Sequence, residues 1–380
     1  MLKLSVLVIS FVLLSPTAIV GILPYIMNTL GITQFEAENL VTIPSFATMI
    51  FVLFSDLFIK RIGIKYTVIT GLLISGISGI APLILPISYL YLLITRFLFG
   101  AGIGLLFTPS VNLLSILFDK NERVKLIGFR SATEMLGQSI LTLLMGVLVY
   151  IGWRMAFLTN LVFFIIAICV FLFIPNIKKD SIDNTMKSKK VPTIIFPISL
   201  FICLIAISSS MIAIRFPSIA SDIVGYSFNA SIWAALKPII GIIAAIYFGK
   251  IYNKIGESTL FIGSLILIIS QVLIGYSGDN LVILIIGYLL SSFVLGWIVP
   301  VIINYITSIT QGKQQRISTG FVLLSAHIGI LIMPLLVRLI ETSLQFSDLR
   351  NVFIFMATVV FVVISIIFLI LKLKLRKGRI

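Results

Sequence analysis

Long apolar segments alternate with short polar ones along the whole chain. Six apolar segments precede the one long polar run, PNIKKDSIDNTMKSKKVP (175–192), and six follow it. A helix needs about 20 apolar residues to cross a bilayer, and each segment is close to that length. The pattern therefore predicts an all-α membrane protein with 12 transmembrane helices. They form two six-helix halves, 1–174 and 193–380, joined by the linker 175–192.

Polar or charged turns set the limits of the predicted spans. The first span covers residues 4 to about 27; it is too long for a cleaved signal peptide, and no small-residue cleavage site follows it. Asn28–Glu38 is a predicted loop. Span two ends near residue 59, and spans three and four cover 66–85 and 89–117. Spans five and six flank the turn at Trp153 and Arg154. Spans seven to twelve cover 193–214, 229–249, 258–277, 281–305, 317–338 and 351–371.

Composition and charge support this prediction. The chain is 59% hydrophobic and 11% charged, whereas soluble domains carry about 25% charged residues. Most of the Lys and Arg residues behind the net charge of +15 fall in loops on the linker's side, and Arg154, Arg215, Arg338 and Arg350 fall in loops on the other. Basic loops mark the cytoplasmic face, so both termini and the linker are predicted to be cytoplasmic. The positive charge is then a topology signal, and no nucleic-acid partner is expected.

The two halves repeat each other. Pro24 and Pro217 lie 193 residues apart, and so do Gly63 and Gly256. A repeat of this length is too long for a solenoid. Two parallel six-span halves are the arrangement found in one large class of secondary transporters.

Three motifs carry a family resemblance. Span four reads TRFLFGAGIGLLFTP, with Arg96, Gly100, Gly102 and Gly104 at the spacing of a known fourth-helix pattern, and GWRMAF follows span five. In the loop after span two, Arg61, Gly63 and Lys65 match positions of a known gating loop. Two positions depart from that loop: Lys60 stands in place of its Asp, and Asp56 stands in place of its first Gly. Together these motifs resemble the major facilitator superfamily, and bacterial drug-efflux members in particular. Leu141 and Thr142 stand where drug–proton antiporters carry Gly-Pro.

Five ionisable residues lie within predicted spans: Arg96, Arg130, Glu134, Lys237 and His327. Each costs about 2.5–3.5 kcal/mol on insertion scales, which makes it a candidate for the substrate or proton pathway. Glu134 is the predicted proton-linked residue; the alternative is that it only pairs with Arg130, one turn away.

The other three embedded residues also have alternatives. His327 is either a proton carrier or a hydrogen-bonded packing residue. Carbonyls freed at Pro238 could hold the Lys237 ammonium. Arg96 needs carbonyls near a helix break or an aqueous cavity, because no acid is predicted at its depth.

Two further local predictions concern helix contacts. Gly100, Gly102 and Gly104 are expected to let a neighbouring helix approach closely. Asp56 and Lys60 have the spacing of an ion pair, and we expect the loop from Lys60 to Lys65 to help close the cytoplasmic side.

A secondary transporter is the predicted function. A membrane enzyme needs converging His, Asp or Glu residues, and the chain has 1 His; a channel would not explain the repeat. No cofactor or metal is expected, because Cys169 and Cys203 lie in apolar runs without CxxC spacing. The resemblance implies proton-coupled efflux of amphipathic compounds, while the buried cations favour an organic anion instead. We expect a monomer in a bacterial cell membrane, with a small-molecule substrate, protons and the bilayer as its partners.

Overall fold

The computed structural model describes residues 2–84, 88–176, 191–225, 228–310, 312–346 and 348–376. Nine helices in these ranges are long and apolar enough to cross a membrane, and a bent pair at the N-terminus makes ten. Shorter apolar helices, Leu281–Leu290, Gly296–Ile309 and Asn351–Ile367, occupy the places of predicted spans ten and twelve. The helical architecture predicted from the apolar segments is therefore confirmed. Most of the predicted linker, residues 177–190, lies outside the described ranges.

The helices follow the order of the apolar segments, and we number them α1 to α12. In the first half they are α1 (Leu2–Phe11, Ser15–Ile22 and Leu23–Leu30), α2 (Gln34–Ile62), α3 (Ile64–Ile80), α4 (Tyr89–Leu117), α5 (Lys120–Leu148) and α6 (Trp153–Leu161 and Val162–Phe173). In the second half they are α7 (Ile195–Val224), α8 (Ala230–Ile255), α9 (Ser258–Gly275), α10 (Leu281–Leu290, Val294–Ile298 and Val299–Ile309), α11 (Gly312–Ser343) and α12 (Asn351–Arg376).

Several helix boundaries differ from the sequence prediction, as three examples show. The loop predicted at Asn28–Glu38 is shorter, because Thr33 and Glu36 form a capping box that starts α2 at Gln34. The turn predicted at Trp153 is the start of a 3₁₀ segment of α6. Helix α7 continues past residue 214 to Val224. Each longer helix therefore includes residues that were predicted to lie in loops.

The repeat is visible in the helix boundaries. Helices α3, α4 and α5 begin at residues 64, 89 and 120, and α9, α10 and α11 begin at 258, 281 and 312. Gly63 and Gly256, which occupy equivalent turns, have φ of +84° and +60°. Left-handed backbone of this kind favours glycine, so the same backbone requirement explains both glycines.

The chain divides into two compact units. One consists of Met1–Lys187 with Gly225–Ile239, and the other of Ser188–Val224 with Ile240–Ile380. Helix α8 contributes to both, with the boundary one residue beyond Pro238. Many large apolar side chains are exposed, among them Leu53 (71%), Ile77 (60%) and Leu200 (74%). Exposed apolar surface on this scale is what a bilayer covers.

Candidate functional site

Arg96 is buried within the first unit and is held by backbone carbonyls. Its side chain on α4 is 5% exposed, and its Nε donates to the Leu40 carbonyl at 2.9 Å. Pro44, four residues after Leu40, has no N–H to donate to that carbonyl. A second guanidinium nitrogen donates to the carbonyl of Pro16, beside the break in α1. The partners of Arg96 are thus two backbone carbonyls, one left free by the proline inside α2 and one beside the break in α1.

The glycines of α4 allow close contact with two neighbouring helices. A Cβ at Gly100 would collide with the backbone of Pro44, and one at Gly104 would lie 2.7 Å from the Thr48 carbonyl, both on α2. A Cβ at Gly102 would lie 2.5 Å from the Gly71 carbonyl on α3. Hydroxyl groups support the contact: the Thr48 hydroxyl donates to the Gly100 carbonyl at 2.9 Å. The close packing predicted for these glycines is present.

Arg130 and Glu134 form an ion pair along α5. Their Nη2 and Oε1 atoms are 2.8 Å apart, and the side chains are 14% and 15% exposed. The spacing of four residues places both on one face of the helix. The pair therefore compensates two charges that would each be costly alone in a low-dielectric surrounding.

Lys237 lies on the part of α8 that belongs to the first unit. Its Nζ is inaccessible to solvent. Two residues earlier, the Ala235 carbonyl accepts a hydrogen bond from the Ser139 hydroxyl of α5 at 2.7 Å. Helix α8 continues through Pro238, so the proline does not end the helix as a break would.

His327 lies on α11 in the second unit. Its Nδ1 is 3.0 Å from the Leu323 carbonyl, one turn earlier on the same helix, an arrangement in which Nδ1 carries the proton. This contact is the one expected of a hydrogen-bonded packing histidine. Arg96, Arg130, Glu134 and Lys237 thus share one unit, and His327 belongs to the other.

The predicted gating loop is a tight turn between α2 and α3. Lys60 and Arg61 are exposed in the last turn of α2, and the Lys65 ammonium lies 5.2 Å from the centre of the Phe171 ring on α6. The ion pair predicted between Asp56 and Lys60 is wrong, since no such pair occurs within the described residues. Asp56 is exposed to the surroundings, where an isolated pair gains little.

Sequence reasoning missed two buried charges. Arg215, which was assigned to an outer loop, is 2% exposed within α7. Its Nη1 lies 2.5 Å from Glu341 Oε1 on α11, and Nη2 lies 3.4 Å from Oε2. Glu38, assigned to the loop before span two, is 0% exposed and accepts from Gln34 at 3.0 Å. Glu134 is therefore not the only acid withdrawn from solvent. The apolar residues on both sides of Arg215 were the signal that could have placed it in a span.

Neither a metal site nor a disulfide is found in the described ranges. They contain no cluster of three or more His, Cys, Asp or Glu side chains that could hold a metal, and Cys169 and Cys203 are free thiols.

Solved structures share the fold of this chain at low sequence identity. The POT family transporter PepTSo matches with a TM-score of 0.77 and 14% identity over 97% of each chain. The xylose transporter XylE from E. coli, in an inward open conformation, matches with a TM-score of 0.71 and 13% identity, over 96% of this chain and 94% of its own. The nucleoside transporter NupG matches with a TM-score of 0.73 and 13% identity, over 94% and 95%. No curated protein sequence matches.

The family itself is identified by sequence. The model of the Major Facilitator Superfamily matches residues 6–278 and 198–379, which together span nearly the whole chain and cover both six-helix halves. The helix order, the repeat and the motifs around Arg96 and Gly63 agree with that match. The chain is an integral membrane protein that belongs to the major facilitator superfamily of transporters.

Proposed function

We propose that this transporter exports amphipathic organic compounds in exchange for protons, and that Glu134 is the residue that binds the proton. The observation that carries the proposal is the ion pair between Arg130 and Glu134, largely withdrawn from solvent on α5. Burial disfavours the charged carboxylate and the neighbouring guanidinium favours it, so the charge of Glu134 depends on its surroundings.

The pair gives proton binding a direct structural consequence. A proton on Glu134 cancels the carboxylate charge and leaves the Arg130 guanidinium without its counter-ion. An uncompensated buried charge is strongly unfavourable, so the protonated transporter favours a conformation in which Arg130 finds water or another acceptor. Such a shift in populations is the minimum needed to couple proton binding to alternating access.

The positions of the buried cations argue against an anionic substrate. Three cations motivated that alternative, but the Arg96 guanidinium is occupied by the Leu40 and Pro16 carbonyls and Arg130 is paired with Glu134. The burial of the Lys237 side chain favours uptake or exchange of an organic anion, because a buried cation suits a carboxylate or phosphate group. This is the second candidate.

The test is transport by the purified protein in proteoliposomes under an imposed pH gradient, with cationic and anionic amphipathic solutes. We expect cationic solutes to accumulate against their gradient, and Glu134→Gln to abolish this accumulation while leaving the protein folded. Glu122→Gln is the matched control, because Glu122 is also on α5 but is half-exposed in a pair with Lys3. Normal gradient-driven accumulation by Glu134→Gln would reduce Glu134 to a partner of Arg130. Selective accumulation of anions, lost in Lys237→Gln, would favour the second candidate.

The proposal includes a location and an orientation. We place the transporter in a bacterial cell membrane as a monomer with both termini in the cytoplasm, because the basic loops lie on the side of the linker and the C-terminus. Impermeant labelling of single cysteines in intact cells tests this orientation: a cysteine after Lys377 should stay unlabelled, and one beside Asp279 should react.

A further inference from the structure

Helix α1 is interrupted near its middle. Its first part ends at Phe11 and its second begins at Ser15, and the two parts are bent by 43°. At the break, the N–H of Ser15 donates to the Val12 carbonyl at 3.1 Å. The N–H of Thr17 donates to the Leu14 carbonyl at 3.3 Å. Backbone bonds three residues apart are those of a 3₁₀ helix, and a stretch of it inside a longer helix often marks a hinge.

Two neighbouring helices hold the 3₁₀ segment of α1. The Arg96 guanidinium of α4 donates to the Pro16 carbonyl. The Gln138 Nε2 of α5 donates to the Thr17 hydroxyl at 2.8 Å. Since the Thr17 hydroxyl in turn donates to the Leu14 carbonyl at 2.8 Å, the Gln138 amide is connected to the break itself.

The two contacts differ in how readily they can open. Arg96 is 5% exposed, and loss of its carbonyl partners would leave a buried cation, which is strongly unfavourable. The bond from Gln138 to Thr17 joins two neutral, partly buried groups, and the net stabilisation by such a bond is small. The Arg96 contact is therefore a fixed pivot, while the Gln138 contact is the one that can open and close.

Helix α5 is attached to α1 on both sides of the break. Near the start of α5, Glu122 pairs with Lys3 at 2.6 Å, and further along the helix Gln138 provides the second attachment. The pair of Arg130 and Glu134 lies on α5 between these two points. Gln138 follows Glu134 by four residues, so the two share a helix face. Gln138 therefore connects the face of α5 that carries the ion pair to the break in α1.

We propose that Gln138 is a positioning residue of the transport cycle. Its bond to Thr17 holds the 3₁₀ segment of α1 against α5 in the bent form, and opening of this bond lets the segment turn about the Arg96 contact. The bond therefore sets the relative populations of two forms of α1 that differ in their bend. The proposal does not depend on which solute or ion is transported.

The test measures the distance between spin labels at Asn28, near the end of α1, and Tyr150, two residues after α5, by double electron–electron resonance on the purified full-length protein. Both positions are exposed, and Cys169 and Cys203 are replaced by Ala so that only these two positions carry a label. Asn28 lies about 20 Å beyond Pro16 along the helix. Loss of half of the 43° bend would therefore move it by roughly 7 Å, which the method resolves.

We expect one main distance in the parent protein and a second one in Gln138→Met, which keeps the length of the side chain but has no donor. Loss of one neutral hydrogen bond corresponds to a change of about two- to tenfold in the ratio of the two forms. Thr17→Val should produce the same change, and the double variant no more than either alone, because both substitutions remove the same bond. Thr17→Ser keeps the hydroxyl and should keep the parental distribution.

Thr142→Val is the matched control. The Thr142 hydroxyl donates to the backbone carbonyl of Gln138 on its own helix at 2.7 Å, so this variant loses a hydroxyl without losing a contact between helices. Distance distributions for Gln138→Met and Thr17→Val that match the control would overturn the proposal, and so would additive shifts in the double variant. A lowered unfolding midpoint with an unchanged distribution would also overturn it, because the bond would then be purely structural.

Two features keep the result unambiguous. If Gln138→Met does not fold, the comparison of Thr17→Val with Thr17→Ser decides between the same outcomes. The measurements need neither a substrate nor a pH gradient, so failure here and failure of the role proposed for Glu134 are separate results.

Discussion

The ion pair between Arg215 and Glu341 joins α7 to α11 within the second unit, and removing one partner should destabilise that unit. The Arg215 side chain is 2% exposed and that of Glu341 20%, so Glu341→Gln leaves a guanidinium charge with little access to solvent. Phe216, next in sequence, stacks on Tyr288 of α10 with ring centres 3.9 Å apart. The surroundings of Arg215 are therefore closely packed and offer little room for it to move toward water.

The expected magnitude follows from this burial. Breaking a buried pair costs about 3–5 kcal/mol, and the partial exposure of Glu341 places the loss near the lower end. At roughly 2–4 °C per kcal/mol for a domain of this size, Glu341→Gln should lower the unfolding midpoint by roughly 6–12 °C. The double variant Arg215→Leu/Glu341→Leu removes both charges and should recover most of the loss, because apolar replacements of buried pairs are often neutral.

The assay is thermal unfolding of the detergent-purified protein at one fixed protein and detergent concentration. Asp348→Asn is the matched control: its pair with Arg350 is longer, at 3.8 Å, and Asp348 is 47% exposed, so its loss should cost only about 0–1 kcal/mol. A midpoint shift for Glu341→Gln no larger than that of Asp348→Asn would refute the reasoning. A double variant as unstable as the single one would also refute it.

Three further predictions concern the first unit. Arg96→Lys should lower the unfolding midpoint nearly as much as Arg96→Ala, because one ammonium cannot reproduce the guanidinium fork that reaches two carbonyls; a midpoint like that of the parent protein would contradict this. Gly102→Ala should reduce both stability and transport, because the added Cβ forces α4 away from α3. Gly128→Ala should be tolerated, because a Cβ there meets nothing within 4 Å; equal losses in the two variants would argue against close packing at Gly102. Lys65→Gln removes the ammonium that lies 5.2 Å from the centre of the Phe171 ring and should raise labelling of cytoplasmic-side cysteines, because that contact joins the turn at Gly63 to α6; unchanged labelling would remove Lys65 from the gate.

The sequence by itself determined the features that depend on neighbours along the chain. Apolar length predicts spans because the bilayer has a fixed thickness, and the 193-residue repeat and the basic loops follow directly from residue order. The pair of Arg130 and Glu134 was also accessible, since residues four apart share a helix face. The glycines of α4 predicted a close contact, although not that α2 and α3 would both provide it.

Only the tertiary structure decided which residues from different helices meet. Arg96 reaches the Pro16 carbonyl across 80 residues of sequence, and Arg215 reaches Glu341 across 126. Neither partner can be inferred from local pattern, because the choice depends on which helices are neighbours and at what depth each side chain lies. The burial of Glu38 depended on a capping box that extends α2 by several residues. A shift of one helical turn is enough to move a charge from a loop into a span, and local pattern does not fix helix ends to better than that.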